Sequence, residues 1–216
     1  AVGSGTSSDG KYYVGDTLSL GASGSGTFAD KNVGTGKSVT TAMTLSGADG
    51  GNYNVVQPTT LTANITPLAI TGSFTANNKI YDATTAATVI SRSLSGVLTN
   101  DVVSLTGGTA AFADKNVGNG KTVTLTGASL TGTDSGNYTV TVGTTTANIT
   151  KKALTIAADP KSKTYGSSDP ALTYQITSGS LEAGDSLSGS LSRASGENVG
   201  TYAITSTLAN SNYEIT

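Results

Sequence analysis

The 216-residue chain has no cysteine, no histidine and no tryptophan, and only 12% of its residues carry charge. Without cysteine there are no disulfides and no thiolate metal sites; without histidine the commonest general base and zinc ligand are gone. These absences point away from an enzyme and from a bound cofactor. No run of about 18 apolar residues occurs, so no segment reads as a membrane-spanning helix. A net charge of −2 and the lack of a basic patch among aromatics argue against nucleic acid as a partner. Ala1-Val2-Gly3-Ser4 has neither the charged nor the apolar region of a signal peptide, and the chain reads as an internal piece of a longer protein. What is abundant is glycine, 28 residues of it, with serine and threonine throughout and 36% hydrophobic residues. That composition predicts thin all-β modules, each with a modest core.

The chain repeats itself. Phe28-Ala29-Asp30-Lys31-Asn32-Val33-Gly34-Thr35-Gly36-Lys37 returns as Phe112-Ala113-Asp114-Lys115-Asn116-Val117-Gly118-Asn119-Gly120-Lys121, 84 residues later. A fainter third copy, Glu197-Asn198-Val199-Gly200-Thr201-Tyr202, keeps Asn-Val-Gly but loses the aromatic and the second glycine. Three units must be read together. The stretch is a strand end, a polar corner and a new strand: Asp-Lys-Asn is turn chemistry, Gly-x-Gly tolerates positive φ, and Thr122-Val123-Thr124 restarts a strand. It lacks the Gly-Lys-Ser/Thr and the following helix of a phosphate-binding loop.

Around each corner the same elements recur. In the first unit Gly15–Leu20 alternates as a half-buried strand, and Val39, Thr41, Met43 and Leu45 share one face of the next. A Gly-rich turn leads to Tyr53, and Leu61–Ile65 closes the unit. In the second unit Leu20, Tyr53 and Ile65 are answered by Leu105, Tyr138 and Ile149 at offsets of 85, 85 and 84. The offsets predict compensating one-residue changes, one in the loop before Phe28 and one as a bulge at Thr126-Gly127. Leu68–Phe74 and Ile80–Val89 precede this in the second unit. The third unit answers them at Ala153-Leu154-Thr155-Ile156, Tyr165-Gly166 and Gly184-Asp185-Ser186-Leu187.

Ile80-Tyr81-Asp82-Ala83-Thr84-Thr85, with Phe-Ala-Asp-Lys-Asn-Val-Gly and Ser-Gly-Asn-Tyr, resembles the YDG repeat of large bacterial surface adhesins and haemagglutinin-like proteins. Lys163–Tyr174, with Gly-Asp-Ser-Leu-Ser-Gly and Asn-Val-Gly-Thr-Tyr, is similar to the MBG domain, a bacterial immunoglobulin-like module. Ala83 stands where the family name has glycine. The resemblance implies tandem immunoglobulin-like β-sandwich modules arranged end to end. It gives a partial YDG-type module over 1–66, a complete one over 67–150, and an MBG-type module over 151–216 lacking its closing strand. Its repeat residues are Phe28, Asn32, Gly34, Tyr53, Tyr81, Asp82, Phe112, Asn116, Gly118, Tyr138, Tyr165, Asn198, Gly200 and Tyr213. It also implies a structural spacer or stalk of a secreted or cell-surface bacterial adhesin, projecting a distal binding region. The alternative is a module that recognises a glycan or host surface protein through its loops.

Three constellations are candidates for chemistry. Asp49 and Asp134, each in a Gly-rich turn, are weak calcium ligands; a turn role is the default. Lys115, Asn116 and Asp114 have the residue types of an isopeptide cross-link, but as sequence neighbours they suit an exposed corner better. Tyr53, Tyr138 and Tyr213, each after an asparagine, would serve either as sugar-stacking faces or as buried corner tyrosines, and their recurrence favours the second. Thr144-Thr145-Thr146 reads as the polar face of a strand rather than an ice-binding array. The joints Ile65–Ile70 and Ile149–Leu154 have no Gly/Ser tether, and Pro67 fixes its own φ, so the modules are expected to lie in line with restricted bending. The expected partners are neighbouring modules of the chain and an unidentified host or glycan ligand, with a monomer or weak strand-mediated association.

Overall fold

The computed structural model describes residues 12–216. Residues 1–11 lie outside the described residues; Tyr13 donates its amide to the Tyr53 hydroxyl at 2.9 Å. The contacts separate into two compact units, residues 1–69 with 133–139, and residues 70–132 with 140–216.

The first unit holds β1 (Ser19–Gly21), β2 (Thr27–Phe28), β3 (Gly34–Thr40), β4 (Thr44–Ser46) and β5 (Thr62–Ile65). β1 pairs with β4, and β2-β3-β5 forms an antiparallel sheet. Val39, Thr41, Met43 and Leu45 do face one way, each half-buried between exposed neighbours. They do not share one ladder, because strand pairing stops at residues 41–43. There the Gln57 side chain stands in for a neighbouring strand: its Oε1 accepts the Met43 amide at 3.0 Å and its Nε2 donates to the Met43 carbonyl at 2.8 Å. The expected strand over 15–20 is also shorter, starting at Ser19, with Leu20 46% exposed.

After β5 come β6 (Leu68–Ala76), β7 (Lys79–Ile80), β8 (Ala86–Ala87), β9 (Val89–Ser95), β10 (Ser104–Phe112), β11 (Gly118–Thr131), β12 (Tyr138–Val142) and β13 (Thr145–Thr150), all in the second unit except Leu68, Ala69, Tyr138 and Thr139. There follow β14 (Lys152–Ala158), β15 (Tyr174–Ser178), β16 (Leu191–Arg193), β17 (Ile204–Ser206) and β18 (Tyr213–Ile215). A five-stranded sheet, β7-β13-β11-β10-β8, and a three-stranded sheet, β12-β6-β9, make a sandwich. The inward positions of the alternating strands fill it: Phe74 from one sheet, and Ala110, Phe112, Val123, Leu125, Ala147 and Ile149 from the other. Beyond it lie the sheet β15-β14-β18 and the pair β16-β17. β7 pairs with β13, and β14 with β18, in parallel.

The offset arithmetic has a structural meaning. In the first unit, six residue steps from Gly21 to Thr27 face four from Thr40 to Thr44, so the pairing breaks. In the second, five steps from Thr106 to Ala111 face five from Thr124 to Ser129, and β10 and β11 run as one ladder. The length change before Phe28 is where the sequence puts it. The bulge expected at Thr126-Gly127 is absent, because the gain in β11 and the loss in β10 fall opposite each other and keep the register. Only the Gly108–Gly127 pair is skipped, with positive φ at Gly107, Gly108 and Gly127. The register shifts instead inside the repeated corner, between Gly34 and Lys37 and between Gly118 and Lys121.

The core does not stop at residue 150. Leu154 from β14 and Tyr213 from β18 are 1% and 2% exposed and belong to the same cluster as Tyr81, Phe112 and Ile149.

Candidate functional site

The repeated corner carries a dense polar arrangement. Asp30 and Asp114 each accept the amide two residues on, Asn32 and Asn116, at 2.8 Å, which is the Asx turn that Asp-x-Asn chemistry favours. The lysine of the following strand returns to the same carboxylate, Lys37 to Asp30 and Lys121 to Asp114, the latter at 2.7 Å. That ammonium is the main cause holding both aspartates below the usual carboxylate pKa. Gly36 and Gly120, at φ 61° and 59°, make the bulge, and their amides donate to Asn64 Oδ1 and Asn148 Oδ1 at 2.8 and 2.7 Å. Closing-strand asparagine, bulge glycine, lysine and aspartate thus form one knot, present twice. The acid of the cross-link candidate therefore meets Lys121 rather than its neighbour Lys115.

The Tyr-Asp pair that opens the second unit is built similarly. Asp82 Oδ1 accepts the Thr84 amide and hydroxyl, both at 2.9 Å, and Lys79 Nζ at 2.7 Å. Ala83 between them sits at φ 58°, which is why a glycine suits that position.

The burial of the tyrosines after asparagine suits corner tyrosines better than sugar-stacking faces. Tyr138 and Tyr213 are 6% and 2% exposed and Tyr53 is half-buried. The Tyr53 hydroxyl donates to Asp16 at 2.5 Å and accepts the Tyr13 amide. The Tyr213 hydroxyl donates to Asp185 at 2.8 Å and accepts the Glu182 amide at 2.7 Å. Burial pushes the Tyr213 hydroxyl up to about 12, while its hydrogen bond holds Asp185 low. Sequence reasoning missed these acids, although Asp16, Asp101 and Asp185 recur at offsets of 85 and 84 ahead of a Ser-containing strand.

The asparagines before those tyrosines are clamps on the preceding repeat. Asn137 Oδ1 accepts the Val33 amide at 2.9 Å and its Nδ2 donates to Asn32 Oδ1 at 3.2 Å. Asn212 does the same to Val117 and Asn116, at 2.9 and 3.2 Å. Beside the second clamp Tyr81 and Tyr213 meet edge to face, ring centroids 5.6 Å apart. The Tyr81 hydroxyl is buried and makes no well-formed hydrogen bond among the described residues, though Asp185 is near enough to feel it.

The calcium candidates hold other partners. Asp49 Oδ2 accepts the Thr17 amide at 2.8 Å, and Asp134 pairs with Lys31 at 3.1 Å. Each precedes a single 3-10 turn, Gly50–Asn52 or Ser135–Asn137. Among the described residues no three His, Cys, Asp or Glu side chains converge.

The third repeat departs from its relatives. Tyr165 has the sequence position of Tyr81, yet it is 72% exposed against 2%. Asn198 accepts the Tyr202 hydroxyl on its carbonyl at 2.8 Å, and Gly200 is exposed. In place of the Asx turn, Lys163 bridges Asp169 and Glu197 at 2.7 Å each, and Arg193 bridges the same two acids at 2.9 and 2.6 Å. Phe28 and Phe112 supply the apolar ends of their corners, facing Val39 and Val123.

Against known families, the YDG domain matches residues 1–61 and 64–147, and the MBG domain (YGX type) matches residues 154–216. No curated protein and no solved structure matches. Both are repeat-type, non-catalytic domains of surface-protein or adhesin-like modules. With more than half of its length matched and the corner knot present in both copies, the chain belongs to the YDG-domain family, its YDG repeats followed by an MBG domain.

Proposed function

We propose that this chain is a spacer segment of a secreted or cell-surface bacterial adhesin, and that its task is to transmit position and tension between neighbouring modules. The observation that carries the reading is the duplicated clamp, in which Asn137 and Asn212 make the same two hydrogen bonds to the corner before them. Continuity of the core through Leu154 and Tyr213 supports it further. A loop end built for ligand recognition would leave polar groups unpaired for a guest. Here the corner carboxylates of the first two repeats and the asparagine amides already hold partners.

The test is binding. On glycan and host-surface-protein arrays the chain is expected to give no reproducible, saturable signal. A saturable hit abolished by substitutions in one loop cluster would replace the spacer reading with the ligand-binding one.

A further inference from the structure

Asn119 is followed by glycine, and no other asparagine in the chain is. A glycine after asparagine is chemically exposed, because no Cβ keeps its backbone nitrogen away from the preceding side-chain amide. The first repeat has Thr35-Gly36 at the same place, so one copy of the corner carries the reactive pair and the other does not. Asn119 and Gly120 are both exposed, and a Cβ on Gly120 would meet nothing within 4 Å, so the space around the pair is open. The restraint is on the amide proton. Gly120 donates it to Asn148 Oδ1 at 2.7 Å, and Asn148 is itself fixed by its own amide, donated to Asn78 Oδ1 at 2.7 Å.

We propose that Asn119 is a self-modification site, which deamidates with water as the co-reactant at a rate set by the Asn148 hydrogen bond. The Gly120 nitrogen gives up its proton to solvent and bonds to Asn119 Cγ; the Cγ–Nδ2 bond breaks, and Nδ2 takes up a proton and leaves as ammonia. Water then opens the cyclic imide. Attack at Cγ restores the peptide link beside an aspartate, whereas attack at the backbone carbonyl leaves the chain running through Cγ as isoaspartate. In sum one water enters and one ammonia leaves. The proton held by Asn148 is the one that the first step removes, so the capping bond and the reaction exclude each other, and local opening of the knot admits it. Isoaspartate adds a methylene to the backbone where three residue steps from Gly118 to Lys121 already face two from Ile149 to Ala147. The added length displaces Lys121 from Asp114 and undoes the knot in this copy alone. The reactivity is independent of the spacer role.

The experiment incubates the folded full chain at mildly alkaline pH and follows it by peptide mass mapping and by enzymatic methylation of isoaspartate. The expected result is acid replacing amide at Asn119 ahead of every other asparagine, faster in urea-unfolded chain than in folded chain. Asn148→Ala should speed the folded reaction about fivefold, the worth of one net hydrogen bond. Asn78→Ala, at an exposed position, should speed it in the same direction. Thr35→Asn places the pair in the first copy, under the matching cap from Asn64 to Gly36, and residue 35 should then react within a few-fold of Asn119. The proposal is overturned if Asn119 of the folded chain stays intact over a time in which the unfolded chain converts. It is overturned equally by parental rates in both Asn148→Ala and Asn78→Ala, or by an inert residue 35 in Thr35→Asn while Asn119 reacts.

Discussion

Two tyrosines in edge-to-face contact differ only in what their hydroxyls touch, and that difference is measurable. Tyr213→Phe strands the Glu182 amide and removes the donor to Asp185, so a loss of about 1–2 kcal/mol is expected in chemical denaturation. Tyr81→Phe removes a buried hydroxyl without a well-formed bond, and should be neutral or slightly stabilising. The pH dependence has a definite sign. Tyr213 ionises near 10 when unfolded and about 12 when folded, so its contribution is complete below pH 10 and is lost as pH rises towards 12. Asp185 is held below its ordinary value, so its contribution is present above that value and disappears as the pH falls through the lowered one. Melting temperature against pH should therefore fall at both ends, and Tyr213→Phe should flatten the alkaline limb. An unaltered alkaline limb would contradict the pairing.

Among the elements, the corner bulge and the turn after β11 use glycine for different reasons. Gly120 has open space around a Cβ but a left-handed φ, so Gly120→Ala should cost about 1 kcal/mol through backbone strain alone. At Gly132, φ is 116° and a Cβ would stand 2.2 Å from the Val102 carbonyl oxygen, so Gly132→Ala carries a clash as well and should lower the melting temperature clearly more. Asn148→Ala leaves the Gly120 amide without its protein acceptor. Combined with Gly120→Ala, its effect should be non-additive, because both act on one knot. A strictly additive double mutant would mean that the two are energetically separate.

For the whole molecule, the shared core decides how residues 70–132 and 140–216 unfold. Leu154→Ala removes a side chain 1% exposed among Tyr81, Phe112 and Ile149, and a cost of about 2–5 kcal/mol is expected. Because that core spans both modules, the loss should appear in probes placed on β11 as well as on β14. Hydrogen exchange should find β14 and β18 protected to a degree close to β11, with residues 161–203 opening first. Protection that falls evenly from β14 through residue 216 would show that the third module opens as one piece, independent of the core before it.

Composition, the 84-residue repeat, the corner and its turn chemistry were legible in the sequence because each depends on neighbours a few residues apart: Asp114 finds Asn116, and glycine at 120 permits the bulge. The inward alternation of Val39 to Leu45 was legible for the same reason. Where the bulge falls was not, since register depends on two strands at once and compensating changes in β10 and β11 cancel. Nor was the fate of equivalent residues. Asn212 finds its partner 95 residues away at Val117, and Tyr81 is sealed while Tyr165 is bare. Tyr81 lies in the core cluster with the Tyr213 ring edge-on at 5.6 Å, and only the tertiary structure decides which ring meets such a partner.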